Sequence, residues 1–268
     1  MTSRVNDFLA AIVLGLVEGI TEFLPISSTG HLLIAEHWLG ARSDLFNIAI
    51  QAGAILAVTL IYRRRLWQLA TGLSDPATRL YAAKLGVAFA LTAGLGLLVA
   101  KLGFTLPETV GPVAWALVIG GVFMLAVETA AESGMPQREV SWTAAIFVGL
   151  AQIIAGIFPG TSRSAATIFA AMLAGTRDRA AATEFAFLVG IPTMYAASGY
   201  TLFKHVRAHG IAGEDWSALA VAFVVSTVTA FAAVRWLLGY LRAHRFTPFA
   251  IYRIALGVAL LLGLSAGA

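Results

Sequence analysis

Apolar runs interrupted by short polar stretches recur along the whole chain, and most are about as long as a helix needs to cross a hydrocarbon core of roughly 30 Å. Six are predicted to span a membrane: Phe46 to Tyr62, Leu80 to Ala100, Val110 to Ala131, Ala182 to Phe203, Trp216 to Leu238 and Phe249 to Leu264. Two other apolar stretches are broken near the middle. Phe8 to Leu24 carries Glu18 and Glu22 near its end, and His31 to Leu39, beyond Pro25, is too short to span. Trp142 to Phe158 and Ala165 to Ala174 flank Pro159 in the same way. Proline lacks an amide hydrogen and its ring crowds the preceding turn, so each stretch reads as a helical hairpin that enters the membrane and returns. The fold expected is an all-α polytopic membrane protein with six transmembrane helices and two re-entrant helical hairpins.

The order of one hairpin followed by three spans occurs twice. An offset of 134 residues pairs Ala11-Ile12 with Ala145-Ile146, Gly15-Leu16 with Gly149-Leu150, Glu18 with Gln152, Pro25 with Pro159 and Ser28 with Ser162. Residues 1–268 are therefore expected to form a single membrane domain of two repeats, about 1–134 and 135–268. Three spans per half is an odd number, so the second half is predicted to lie upside down, the inverted-topology repeat found in transporters.

Composition agrees with a membrane location: 59% of the 268 residues are hydrophobic and 12% charged, against about 45–50% and 25% in soluble domains. Met1 to Asp7 is mixed polar, and no cleaved signal peptide is expected there. The absence of cysteine removes disulfides, thiolate nucleophiles and Cys-ligated metals. The net charge of +4 does not point to nucleic acid, because the basic residues occupy short loops and report topology. Placing the loop after the first span in the cytoplasm gathers Arg63, Arg64, Arg65, Arg79, Arg138, Arg177, Arg179, Arg242 and Arg245 there, leaving Arg4, Arg42, Lys101, Lys204 and Arg207 outside. The hairpin carrying Glu18 then enters from the outer face and the one carrying Arg163 from the cytoplasmic face.

The candidate chemistry sits at the two bends. Glu18 and Glu22 are four residues apart, so on a helix they share one face and can share a cation or a proton. Ser27, Ser28 and Thr29 follow Pro25 as an N-cap region, whose free amide hydrogens and positive dipole end suit a phosphate. The second bend supplies Ser162, Arg163, Ser164 and Thr167, and the planar fork of Arg163 grips phosphate oxygens in pairs. Ser/Thr clusters after proline are often plain caps, but an Arg, a Glu pair and a His within the membrane are costly and read as functional. Gly15 and Gly19 read as helix packing, and His37, His205, His209 and His244 as interfacial. The run Arg63 to Arg65 reads as a topology anchor. Glu128 and Glu184 are candidates for supporting or pathway roles, and Gln51 either donates to a phosphate or packs against a helix.

With those residues in view, the chain resembles the undecaprenyl-diphosphate phosphatase family, also called the BacA or UppP family. The resemblance rests on Glu18-Gly-Ile-Thr-Glu22-Phe-Leu-Pro-Ile-Ser-Ser-Thr-Gly-His31 and Pro159-Gly-Thr-Ser-Arg-Ser-Ala-Ala-Thr167, with smaller matches at Ile191-Pro192-Thr193 and Phe246 to Arg253. It implies removal of the terminal phosphate of undecaprenyl diphosphate with a divalent cation (Mg²⁺ or Ca²⁺), in the bacterial inner membrane. It further implies carrier-lipid recycling for the cell wall and a link to bacitracin susceptibility. The site residues implied are Glu18, Glu22, Ser27, Ser28, His31, Ser162 and Arg163. The sequence departs from the family at Ala165, where Gly is common.

Glu18 and Glu22 are expected to hold the cation and Arg163 to offset the diphosphate charge. The phosphoryl acceptor is expected to be Ser28 with His31 as base, with His31 itself or water as alternatives. The partners expected are the lipid diphosphate and the bilayer, with a second copy of the chain as a further candidate. Ser28-Thr-Gly-His31 and Ser162-Arg163 also echo the lipid phosphatases related to phosphatidic acid phosphatase. Those enzymes want a His where Phe169 stands and an Arg-Pro pair that this sequence lacks. The non-enzyme alternative is a lipid flippase or transporter, motivated by the repeat.

Overall fold

The structure, a computed structural model, describes residues 2–103, 109–132, 137–211 and 214–266. The side chains of residues 2–6, 132 and 264–266, including Arg4 and Leu264, lie outside the described set. Within the described residues the chain forms eleven helices and no strand. These are α1 (Thr2–Thr21), α2 (Ser28–Leu39), α3 (Asp44–Ile61), α4 (Arg63–Thr71), α5 (Pro76–Leu102), α6 (Val110–Glu132), α7 (Trp142–Ile157), α8 (Arg163–Leu173), α9 (Arg179–His209), α10 (Trp216–Tyr240) and α11 (Thr247–Ala266).

Helices α3, α5, α6, α9 and α10 are long and apolar enough to cross a membrane and coincide with five of the six predicted spans. The sixth falls on α11, whose described apolar portion, Thr247–Gly263, is shorter. The caps follow local chemistry. Asp75 accepts from Thr78 N with Pro76 at the first helical position of α5, and Asp178 accepts from Ala181 N at the start of α9.

One element was not expected. The Arg63-Arg64-Arg65 run opens a short helix of its own, α4, because its far side has an apolar surface to bury: Leu69 is buried and Leu66 packs against the main core. Arg65 pairs with Glu184 at 3.0 Å and lies over the Tyr81 ring. The run is a small amphipathic element rather than an anchor alone.

Glycines set the close helix pairs, as expected for Gly15 and Gly19. A Cβ on Gly15 of α1 would lie 2.7 Å from Ala222 O of α10, and one on Gly149 of α7 would lie 2.9 Å from Ala88 O of α5. Both members of one pair are displaced by 134 residues from those of the other. Gly19 likewise approaches Ser226 O, at 2.6 Å from a Cβ. The main apolar core gathers side chains from α3, α6, α7, α8, α9, α10 and α11, and a smaller cluster of Ala11, Leu14, Phe46, Ile50, Ala218 and Ala222 lies between α1, α3 and α10. The α1–α2 and α7–α8 bends meet within this scaffold, where Ser164 Oγ donates to Leu24 O at 3.1 Å.

Candidate active site

Each bend places a serine in a conformation that side chains rarely adopt. Ser27 (φ 74°, ψ 102°) and Ser162 (φ 67°, ψ 112°) are the non-glycine residues with positive φ among the described residues. Such backbone costs about 1–3 kcal/mol per residue and gathers at functional sites. Both serines are N-caps: Ser27 Oγ accepts from Gly30 N at 3.4 Å and Ser162 Oγ from Ala165 N at 3.3 Å. The residue after each cap opens the next helix, and these residues are Ser28 and Arg163. The two bends therefore correspond cap to cap, Ser27 with Ser162, not Ser28 with Ser162 as the uniform offset has it. Between proline and cap the second bend carries one residue more. Gly160 supplies that slack: it has φ +88° and lies against α6, where a Cβ would be 2.8 Å from Val113 O.

Between the bends lies a polar cavity of about 70 Å³ lined by Glu22, Ser27, Ser28, Thr29, Gln51, Ser162 and Arg163, with Ala155 and Gly160. Ser28 Oγ donates to Glu22 Oε2 in a short hydrogen bond. The Arg163 guanidinium carries no hydrogen bond or ion pair among the described residues, and it lies within electrostatic reach of both Glu18 and Glu22. A hydroxyl held by a carboxylate thus faces an uncommitted guanidinium at a helix start. That arrangement can receive a phosphate group and bring an oxygen nucleophile to it.

His31 lies elsewhere than expected. Its Nδ1 donates to Ser27 O at 2.7 Å, because a carbonyl can only accept, and its Nε2 meets the Tyr252 hydroxyl at 2.7 Å with the rings stacked. Neither nitrogen bonds Ser28, and Glu22 holds the serine proton instead. Ser164 and Thr167 sit behind the cavity, Ser164 on Leu24 O and Ser162 Oγ, Thr167 on Arg163 O at 2.7 Å. They line a narrow space that reaches Glu22, Arg163 and Gln152. Gln51 does both things expected of it, lining the cavity and accepting from Ser198 Oγ of α9 at 3.0 Å.

Arg253 was singled out only as part of a motif, yet it is the largest fully buried side chain. Its guanidinium donates to Pro25 O of the first bend (3.4 Å), Gly160 O (3.2 Å) and Thr161 O (3.0 Å) of the second, and Ala116 O of α6 (3.1 Å). Gly120 makes room for it, since a Cβ there would run into Arg253 Nη2. The signal was legible: an arginine in an apolar helix is costly and marks a built interior. Glu128, by contrast, supports the fold. It is buried and accepts from Arg179 Nε (2.7 Å), Phe246 N (2.9 Å) and Thr247 Oγ1 (3.1 Å), fixing the start of α11. In α7, Gln152 stands where Glu18 stands in α1, and it bonds Thr193 Oγ1 at 2.7 Å.

Among the described residues no group of three His, Cys, Asp or Glu gathers to hold a metal. Glu18 and Glu22 nevertheless fit a divalent cation. Glu18 Oε2 is buried without a hydrogen-bond partner, and Glu22 has one oxygen beyond that taken by Ser28. Mg²⁺ is commonly held by one or two carboxylates plus substrate phosphates and water, and both Mg²⁺ and Ca²⁺ take oxygen ligands.

Comparison with known proteins bears on this site. The family described as "Bacitracin resistance protein BacA" matches residues 11–259. A Rhizobium etli protein named undecaprenyl-diphosphatase is 68% identical over 259 residues, 97% of each chain. One of that name from Xanthomonas euvesicatoria pv. vesicatoria is 61% identical over 264 residues, 98% of this chain and 99% of the other. One from Xanthomonas campestris pv. campestris is 60% identical over 262 residues. Both long motifs and both bends lie inside the matched region, and the chain belongs to the BacA family.

Proposed function

We propose that the chain is an undecaprenyl-diphosphate phosphatase of the bacterial cytoplasmic membrane, releasing inorganic phosphate and leaving the monophosphate carrier lipid for reuse in cell-wall synthesis. One observation carries the site: Ser28 Oγ, held by Glu22, faces the uncommitted Arg163 guanidinium across a polar cavity between two helix starts. Arg163 and the amide hydrogens at the start of α2 and α8 bind the terminal phosphate and offset its charge. Ser28 attacks phosphorus, Glu22 Oε2 takes its proton, and undecaprenyl phosphate leaves. Water then hydrolyses the phosphoserine. Glu18 and Glu22 would hold a divalent cation, which supplies further charge neutralisation on the diphosphate when bound. The cavity is lined from one chain, so the reaction asks for no second copy.

The six-span, two-hairpin inverted repeat is part of the same reading. The packing of Gly15 on Ala222 and Gly149 on Ala88, and the two strained serine caps, support it. The Lys and Arg distribution supports a site open to the outer face. Cysteines introduced singly at Ser43 and Ser74 should react with an impermeant thiol reagent from outside and inside respectively, and the reverse pattern would invert this orientation.

The test of function is phosphate release from undecaprenyl diphosphate by purified protein in detergent, with and without EDTA. Release that Ser28→Ala lowers by about a thousandfold fits the loss of a covalent nucleophile. No release by the unaltered protein would end the phosphatase reading, and near-normal turnover by Ser28→Ala would remove the serine as acceptor.

A further inference from the structure

Two apolar grooves flank α7, and they differ in what lies at their inner ends. One, of about 520 Å³, runs between α5, α7 and α9 and ends on Arg163 and Gln152. The other, of about 710 Å³, lies between α6, α7 and α8 and ends on Thr161 and Arg253. We propose that the smaller one, between α5, α7 and α9, receives the prenyl chain of the lipid diphosphate and sets where its phosphates fall. This rests on the phosphatase reading of the polar cavity.

Size alone would favour the larger groove. Its inner end, however, meets Arg253, whose donors are committed to the carbonyls of Pro25, Ala116, Gly160 and Thr161. Arg163 is different. It lines the 520 Å³ groove, the polar cavity with Ser28, and the narrow space that also reaches Glu22 and Gln152. A molecule whose charged end sits on the Arg163 fork has its tail delivered to the α5–α7–α9 groove.

The groove is also a departure from the pattern of the other half. There α10 closes against α3: a Cβ on Gly53 would lie 2.5 Å from Phe223 O, and Ser226 Oγ donates to Ile50 O at 2.6 Å. Helix α10 accordingly buries Ala218, Ala222, Ser226, Ala230, Val234 and Leu237. Helix α5 keeps its contact with α7 through Gly149 but buries Lys84 and Ala88 alone along its length. It stands off α9, and the walls there carry small side chains at Gly96, Ala100, Gly156 and Ala197. Gly96 and Gly156 have no atom within 4 Å of where a Cβ would be, so they widen the groove rather than permit tight packing. Because lipid is as apolar as the groove wall, the groove gains little by burial and acts by holding the first isoprene units in register.

The test fills each groove and compares tails. Gly96→Leu and Ala197→Leu, on opposite walls, should lower kcat/KM for undecaprenyl diphosphate about tenfold to a hundredfold, the scale of a misplaced reacting group. Hydrolysis of isopentenyl diphosphate, which is too short to occupy the groove, should be unchanged. Ile119→Trp, in the α6 groove at an exposed position, should alter neither. Equal loss on both substrates, loss on neither, or a tail-selective loss from Ile119→Trp would overturn the assignment. A photocrosslinking arm needs binding but no turnover. A diphosphate with a benzophenone-bearing tail should label α5 and α9, and labelling of α6 instead would overturn the groove whether or not the protein proves to be a phosphatase.

Discussion

Arg253 offers the sharpest test of how the site is held. Replacing it by Met keeps much of the side-chain volume and deletes every donor. The three bonds at 3.0, 3.1 and 3.2 Å are charge-assisted, at about 1.5–3 kcal/mol each, so their gross loss is at least about 5 kcal/mol. Removing the guanidinium also relieves its desolvation, which costs several kcal/mol for a buried ion. The net change in stability expected is therefore about 1–3 kcal/mol, or a drop in Tm of a few degrees at about 2–4 °C per kcal/mol.

The effect on rate should be larger than the effect on stability, because of where the acceptors lie. Pro25 is two residues from Ser27, and Gly160 and Thr161 directly precede Ser162. Losing the clamp frees one bend to move against the other, and with it Ser28 against Arg163. A displacement of about 1 Å between reacting groups can cost about a hundredfold. Phosphate release and thermal unfolding measured on the same detergent-purified sample should show kcat/KM down about a hundredfold with most protein still folded. Arg253→Lys, which keeps the charge but has no planar fork, should recover part of the loss. Gly120→Ala approaches the same group from α6, since its Cβ would displace the guanidinium, and should reproduce the loss in milder form. Activity of Arg253→Met within about threefold of normal, or a loss that tracks the folded fraction alone, would refute a positioning role.

Other outcomes follow from single contacts. Arg163→Lys exchanges a two-pronged donor for a point charge, and kcat/KM should fall about a hundredfold with KM rising, as read by initial rates over a range of lipid diphosphate. Tyr252→Phe removes the hydroxyl from His31 Nε2; a neutral hydrogen bond is worth about 1 kcal/mol, so turnover should fall less than about tenfold, whereas a thousandfold loss would make that pair part of the chemistry. Glu128→Gln unpairs the buried contact with Arg179 and should lower Tm by roughly 5–10 °C, from about 3 kcal/mol, while the folded fraction keeps its kcat. EDTA should abolish phosphate release and Mg²⁺ or Ca²⁺ restore it; full activity in EDTA would free the Glu18–Glu22 pair from metal binding.

Much of the fold was legible because apolar run length and proline position are strong signals. The helices fall where the runs do, and the breaks fall at Pro25 and Pro159. Helix α4 was missed because a run of three arginines outweighs, in any charge count, the two leucines that give the segment its buried side. The glycine pairs were legible as packing positions but not their partners, since a glycine does not say which backbone will approach it. Arg253 was hidden for a related reason. Its role depends on carbonyls, which every residue carries, so no pattern of side chains in the sequence marks its acceptors.

The most instructive error lies in the register of the two bends. A uniform offset of 134 residues matches serine to serine, and on that basis Arg163 falls opposite Thr29. Backbone conformation matches cap to cap instead, because only Ser27 and Ser162 combine a positive φ with a side chain that accepts from the third residue on. The extra residue of the second bend, made possible by the conformation of Gly160, moves Arg163 into the place that Ser28 holds in the first. The nucleophile candidate and the phosphate-gripping cation thus occupy equivalent first-turn positions on two helices whose starts converge. If so, the asymmetry of the site comes from one inserted residue as much as from substitution. Deleting Gly160 should therefore swing Arg163 away from the cavity and abolish phosphate release more completely than Arg163→Lys does, while α7 and α8 still pack.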